Sequence, residues 1–124
     1  MSNEVMRVEK PWGHELWWAR TERYVGKLLH VRKGHSLSLQ YHRVKDETIF
    51  VQSGLLLFET RAAGTDGPLQ KLEMGPGAAF RVTPGTIHRM TGLEDCDIFE
   101  VSTPELDDVV RLEDKYGREG TSQP

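Results

Sequence analysis

The run Gly34-His35-Ser36-Leu37-Ser38-Leu39-Gln40-Tyr41-His42, continuing through the polar stretch Arg43 to Asp46 into Glu47 and on to Gly54, decides how the rest of the 124-residue chain is read. Polar and apolar side chains alternate from Ser36 to His42, the period of an extended strand whose side chains point to opposite faces in turn. Gln40 and His42 therefore share a face. The polar stretch can turn the chain so that Glu47 returns on a neighbouring strand, gathering an amide oxygen, an imidazole and a carboxylate. Further on, Thr83-Pro84-Gly85-Thr86-Ile87-His88 sets a tight turn ahead of another strand, with His88 just inside it. Gln40, His42, Glu47 and His88 then form a mixed N/O set suited to a divalent first-row metal ion, with room for water or substrate. A lone strand histidine is more often packed or solvated than a ligand, so the metal reading rests on the two motifs together.

The same alternation sends Ser36 and Ser38 inward with Gln40 and His42, and puts Leu37, Leu39 and Tyr41 on the opposite face. An apolar row there calls for a cover. Either another strand layer or a second subunit supplies it, and in so small a chain a homodimer is the expected cover.

Working outward, the pattern favours strands almost everywhere: His14 to Arg20, Tyr24 to Arg32, Ser36 to His42, Glu47 to Gln52, Leu55 to Arg61, Leu69 to Met74, Ala78 to Val82, Ile87 to Thr91 and Asp97 to Ser102. Turn signals separate them at Lys33-Gly34, Ser53-Gly54, Gly64 to Pro68, Gly75-Pro76-Gly77, Pro84-Gly85 and Leu93 to Asp95. The expected fold class is all-β, a sandwich or barrel in a single domain. Pro104 to Tyr116 is open between a short helix and an edge strand over Asp107 to Arg111. Of the tryptophans, Trp12 suits core packing, and alternation sends one of Trp17 and Trp18 inward and the other outward.

Composition narrows the partners. Nineteen acidic against 16 basic side chains give a net charge of −3 without a basic run, which argues against nucleic acid. No apolar stretch approaches a signal peptide or a membrane span, so no membrane partner is expected. The single cysteine, Cys96, cannot form an internal disulfide, and a reducing cytoplasm is the expected setting. Asp95 and Asp97 beside it disfavour a thiolate nucleophile.

Measured from Gly34, the positions of Gln40, His42, Glu47 and Gly54 fall where the first motif of the cupin superfamily has histidine, histidine, glutamate and glycine; from Gly77, the positions of Gly85 and His88 fall where its second motif has glycine and histidine. Within that superfamily the chain resembles the C-terminal domain of type II mannose-6-phosphate isomerases, a domain often fused to a mannose-1-phosphate guanylyltransferase. The residues that carry the likeness are Lys10-Pro11-Trp12-Gly13, Leu37-Ser38-Leu39-Gln40, Pro84-Gly85-Thr86-Ile87-His88-Arg89, Glu100-Val101, Asp107-Asp108-Val109-Val110-Arg111 and Asp114-Lys115-Tyr116-Gly117-Arg118. The resemblance implies a cupin (double-stranded β-helix, jelly-roll) barrel over residues 1–124 with flexible ends at 1–9 and 117–124. It also makes glutamine the normal first ligand. The chain departs from that pattern at Val44, Lys45, Thr48 and Ile49, where histidine, arginine, histidine and tryptophan are usual, and these departures point to a substrate other than mannose 6-phosphate.

The activity so implied is metal-dependent aldose–ketose isomerisation of a sugar or sugar phosphate. The ion is expected to be zinc first, with manganese, iron, cobalt or nickel as alternatives. The chemistry needs a Lewis acid and a base that moves a proton between adjacent carbons. Glu100, in the apolar run Ile98-Phe99-Glu100-Val101, is the candidate base if it faces a dry lumen; outward exposure or a structural ion pair is the competing reading. Lys27 is a second candidate for the cavity wall. Arg111 and Arg118 are candidate phosphate anchors, set against solvation or pairing with Asp108 and Asp114. A non-catalytic module that binds a carbohydrate or other small molecule, and an iron-dependent dioxygenase, are the alternative functions.

Overall fold

The turn signals cut the chain into strands too short to bury a face alone, and the described residues, 4–120 in a computed structural model, pair all of them. The strands are β1 (Met6–Lys10), β2 (Gly13–Arg20), β3 (Val25–Val31), β4 (Leu39–Tyr41), β5 (Glu47–Ser53), β6 (Leu56–Arg61), β7 (Gln70–Met74), β8 (Ala79–Val82), β9 (Ile87–Gly92), β10 (Cys96–Ser102) and β11 (Val110–Glu113). They form a six-stranded sheet in the order β1-β2-β3-β10-β5-β8 and a five-stranded sheet in the order β11-β4-β9-β6-β7. Every pairing is antiparallel. From β3 onward the chain crosses between the sheets at almost every step, the winding of a jelly-roll barrel. Among the described residues there is no helix, and so none long and apolar enough to cross a membrane.

Inward positions are graded along the barrel. Leu29, Ile98 and Val51 lie across β3, β10 and β5 as one apolar layer, with Val31 and Cys96 in the next; from the facing sheet Leu56, Phe58 and Met90 complete the core with Trp12. On the other side of that layer the inward row becomes Trp17, Lys27, Glu100 and Ile49, register partners across β2, β3, β10 and β5. Charged side chains are thus set on an apolar floor.

Three sequence expectations change. The region from Pro104 to Tyr116 takes the strand alternative: β11 pairs with β4, Val110 opposite Tyr41 and Arg111 opposite Gln40. The expectation of a loose segment at 1–9 does not extend to Met6–Lys10, which pairs along β2; residues 1–3 and 121–124 lie outside the described residues. At the other end Gly117 to Gly120 are tied back, the Gly120 amide donating to the Arg111 carbonyl at 2.9 Å. Finally, the alternation from Ser36 to His42 is broken. β4 begins only at Leu39, Ser36 makes an isolated bridge to Thr91, and Leu37 is buried in the core rather than on the outer row. The exposed apolar row lies elsewhere: Leu16, Leu28, Phe99 and Phe50 are register partners across the outer face of the six-stranded sheet, next to Val101 and Trp18.

Trp17 is buried and Trp18 is exposed, as alternation requires. Gly54, between β5 and β6, has φ 85°, and a Cβ there would lie 2.1 Å from the Asp95 carbonyl oxygen. Gly64 has a similar φ of 71° with nothing within 4 Å. Gly64→Ala is therefore expected to cost only the left-handed backbone penalty of about 1–2 kcal/mol. Gly54→Ala adds a main-chain collision and is expected to lower the urea midpoint distinctly further; equal losses in the two variants would refute the close approach.

Candidate metal centre and cationic cavity

Two rows of side chains face each other across the polar end of the barrel. In the five-stranded sheet Arg111, Gln40 and His88 are register partners across β11, β4 and β9. Opposite them stand Lys27 and Glu100. His42 follows β4, Glu47 opens β5, and the Pro84-Gly85 turn is fastened to them by the Gly85 amide, which donates to the His42 carbonyl at 2.7 Å. Gly85, at φ 83°, provides the conformation that turn needs.

His42, Glu47 and His88 each offer a ligand atom, and these atoms lie within 4.8 Å of one another; all three residues are buried. His42 Nε2 is 2.9 Å and His88 Nε2 3.5 Å from the same oxygen, Glu47 Oε1. The other ring nitrogens fix the tautomers. His42 Nδ1 donates to the Asp108 carbonyl at 2.6 Å and His88 Nδ1 to the Thr86 carbonyl at 2.9 Å, since a carbonyl oxygen can only accept. In the neutral rings both Nε2 lone pairs therefore point at a carboxylate oxygen. His42 Nε2, His88 Nε2 and Glu47 Oε2 are buried without a hydrogen-bond partner. Converging acceptors with backbone-oriented imidazoles fit a cation between them, and the group is a cluster that could bind a metal ion. Gln40, opposite His88 in the ladder, faces the same cavity as His42, and its Oε1 accepts from Ser38 Oγ at 2.6 Å.

Behind this cluster is a network of charges. Lys45 Nζ lies 3.2 Å from Glu100 Oε2 and 3.9 Å from Glu47 Oε2, all three residues buried. Burial disfavours ionised Glu47, but its neighbours, the Lys45 ammonium first, outweigh it and hold its carboxyl well below the usual range. Glu100 is the complementary case: burial and then the Glu47 charge push its carboxyl up to about 7, against the pull of Lys45. Lys45 resists its own desolvation through the same partners and is shifted upward. Lys27 is tied to Glu15 at 3.2 Å and lies 4.8 Å from the centre of the Trp17 ring, while Trp17 Nε1 donates to Glu15 at 2.8 Å.

The sequence candidates thus meet in one place. Gln40, His42, Lys27, Glu100, Arg111 and Arg118 all line one cavity, and Glu47 and His88 cluster with His42 behind it. Glu100 faces inward and makes an ion pair with Lys45. Arg118 is indeed paired with Asp114, through Nε at 2.9 Å and Nη2 at 3.2 Å, yet remains on the cavity wall. The Asp108 carboxylate accepts the amides of Arg43, Val44 and Lys45 at 3.0, 2.7 and 2.9 Å. Cys96 is buried, donates to the Leu55 and Glu94 carbonyls, and its thiol is pushed up by burial, in keeping with an inert role. Lys10, Glu15 and Lys45 were missed as site residues. Glu15 shares its strand parity with inward Trp17, a signal available in the sequence; Lys10 and Lys45 sit at strand ends and turns, where parity says nothing.

Comparison with known proteins agrees with this geometry. Residues 2–114 match the family described as mannose-6-phosphate isomerase C-terminal. Mannose-1-phosphate guanylyltransferase ManC of Salmonella typhimurium is 34% identical over 116 residues, 90% of this chain but 23% of that protein, so the chain spans about a quarter of its relative's length. Among solved structures, the capsular polysaccharide assembling protein CapF of Staphylococcus aureus superposes with a TM-score of 0.74 at 18% identity, covering 91% of this chain and 34% of that one. A cupin superfamily protein of Desulfitobacterium hafniense superposes with a TM-score of 0.60 at 17% identity over 83% and 80% of the two chains. At such identities these two likenesses show the fold, which is that of a cupin.

The Asp108 clamp gives a direct test of how the site is held. Burial opposes ionisation of Asp108, but the three backbone amides outweigh it and depress its carboxyl. A carboxyl depressed on folding stabilises the protein above its unfolded pKa, about 3.9, and that stabilisation fades as pH falls through the folded value. Asp108→Asn is expected to lose about 1–3 kcal/mol at pH 7. The gap to wild type should close in urea titrations as pH falls toward 3; a gap independent of pH would count against the clamp.

Proposed function

Because the chain belongs to the mannose-6-phosphate isomerase C-terminal family, we propose that it is a metal-dependent aldose–ketose isomerase of a phosphorylated sugar. The observation that carries the reading is the convergence of His42, Glu47 and His88 beside the Lys45–Glu100 pair, with His42, Lys45 and Glu100 lining a cavity whose wall also carries Lys10, Lys27, Arg111 and Arg118. Gln40, His42, Glu47 and His88 would hold the ion, zinc being the first choice for this donor set. When bound, it supplies Lewis acidity toward the carbonyl and hydroxyl oxygens of an open-chain sugar.

The remaining work falls to this chain's own side chains. Glu100 takes the proton from the carbon next to the carbonyl and returns it to the neighbouring carbon. A carboxyl near 7 suits this transfer, and positive charge added at Glu47 favours its ionised, basic form. Lys45 holds the Glu100 carboxylate in place through the 3.2 Å contact. Lys27, fixed by Glu15 and the Trp17 ring, lends positive charge to the oxygen that becomes negative during the transfer. Arg111 and Arg118 receive the phosphate, with Asp114 holding the Arg118 guanidinium in plane. The apolar side chains of Leu29, Leu37 and Met90 would lie beneath the reacting carbons.

Metal analysis, proton exchange and kinetics test the reading together. Purified protein is expected to carry about one divalent ion per chain, and His42→Ala with His88→Ala to carry none. In deuterated buffer, NMR is expected to show exchange at the second carbon of a sugar phosphate, abolished by chelation. Glu100→Gln should lower turnover by about a hundredfold or more, whereas Arg111→Ala should act mainly by raising KM. A metal-loaded protein that binds a sugar phosphate and incorporates no deuterium would replace the isomerase with a non-catalytic binding module.

The same proposal includes a homodimer and a cytoplasmic setting, the latter in keeping with a single buried thiol. The dimer is drawn from the row Leu16, Leu28, Phe99 and Phe50 on the outer face of the six-stranded sheet, where Phe50, Val101 and Trp18 are each more than two-fifths exposed. Light scattering at micromolar concentration is expected to report twice the chain mass, and Phe99→Glu to halve it; a monomeric wild type would remove the dimer.

A further inference from the structure

The cation-lined cavity has a neighbour. A groove of about 410 Å³ runs over Val8, Glu9, Pro11 and Trp17, and it shares Lys10, Arg111 and Arg118 with the inner cavity. Inside those three cations the comparable space is only about 40 Å³, room for an ion's own ligands and the reacting end of a chain but little more. The larger volume lies outside them.

The partition is built rather than incidental. Lys10 ends β1 and Arg111 lies on β11, at the outer edges of the two sheets, so strand pairing brings one cation from each. The third comes from the C-terminal turn. There Asp114 grips Arg118, whose guanidinium lies 5.9 Å from the centre of the Tyr116 ring, and Tyr116 in turn contacts His35 Nδ1 at 2.9 Å. The positive groups act on one another: burial lowers Lys10 against the pull of Glu15, with Lys27, Arg118 and Arg111 adding to the lowering, and burial followed by Arg118 lowers Arg111 against Asp114 and Glu15. An anion at the partition relieves the repulsion among them, with access from both sides. The outer groove then offers a mostly apolar wall of Val8, Pro11 and Trp17.

A terminal phosphate makes use of one side of such a seat. We propose that Lys10, Arg111 and Arg118 hold a bridging phosphate, so that the ligand is a sugar phosphodiester with its reacting end toward His42, Glu47 and His88 and a second, apolar or aromatic group in the outer groove. This rests on the reading of Arg111 and Arg118 as phosphate anchors and adds Lys10, the chemical class of the ligand and the side from which it enters.

Calorimetry on the full metal-loaded chain compares a hexose 6-phosphate with the benzyl phosphodiester of the same hexose 6-phosphate. Burying one ring edge on the groove wall is expected to make the diester bind about tenfold tighter or more. Val8→Asn, at a half-buried position of the outer groove, is expected to erase that advantage while the monoester retains its affinity, and Lys10→Gln to weaken both ligands. A monoester that binds as tightly as the diester overturns the bridging phosphate and leaves the proposed isomerase standing. Equal weakening of both ligands by Val8→Asn also overturns it, because the groove would then act only through the fold. Failure of both ligands to bind removes the phosphate seat and the inference with it. Tight diester binding with the stated variant pattern, but without proton exchange in the sugar, upholds the inference and removes the isomerase.

Discussion

A carboxylate sealed between two β-sheets has to be neutralised where it stands, and Glu47, 3% exposed, imposes that requirement on everything around it. Its ionisation is favoured by its neighbours, Lys45 at 3.9 Å first, against the cost of burial, with two imidazoles and Glu100 set around it. Each of those partners is then constrained in turn. The imidazoles are rotated by backbone carbonyls, Lys45 is held by the turn that Asp108 clamps, and Glu100 is left with the raised pKa because one of two adjacent carboxyls must give way. The base-like character of Glu100 and the ligand-like character of Glu47 are two outcomes of one electrostatic problem.

The fold supplies the solution by register rather than by proximity in sequence. Successive inward positions on β3 and β10 place Lys27 and Glu100 one layer above Leu29 and Ile98, so the same strands that build the dry floor also present the charges. The facing sheet brings Arg111, Gln40 and His88 into line from three strands distant in the chain. A low-dielectric floor strengthens each charge interaction above it and would make any unmatched charge costly. That is why the buried cations and carboxylates come in tight sets, Lys27 with Glu15 and Lys45 with Glu100, instead of singly.

Much of this was legible in the sequence, for a physical reason: alternation and glycine-proline turns are local properties. They locate the strands and the histidines, and they leave the face of Glu100 open. Leu37 was misplaced because alternation holds only while the chain stays extended, and the backbone between the Ser36 bridge and β4 does not. The strand at Val110–Glu113 stayed ambiguous because its pairing partner, β4, lies some seventy residues earlier and nothing local selects it. Glu15, Lys10 and Lys45 escaped notice for a related reason. A charged residue in a short strand or turn reads as solvated until the cross-strand neighbour that compensates it is known, and register is a property of the folded sheet.

The four positions that depart from the resembled pattern fall in different surroundings. Val44 is exposed, Thr48 is half-buried on an outer groove that Glu47 also lines, and Ile49 is packed into the core as the register partner of Glu100. Lys45 alone of the four lines the cavity. A planar arginine fork at this position, the usual residue, is suited to gripping both oxygens of a carboxylate and would compete for Glu47. The lysine ammonium is a compact point charge and spends its short contact, 3.2 Å, on Glu100. Glu47 then keeps Oε2 without a hydrogen-bond partner and Oε1 facing two imidazoles. The exchange of arginine for lysine thus assigns the two carboxylates to separate tasks, Glu47 to the cation site and Glu100 to the ammonium that orients it.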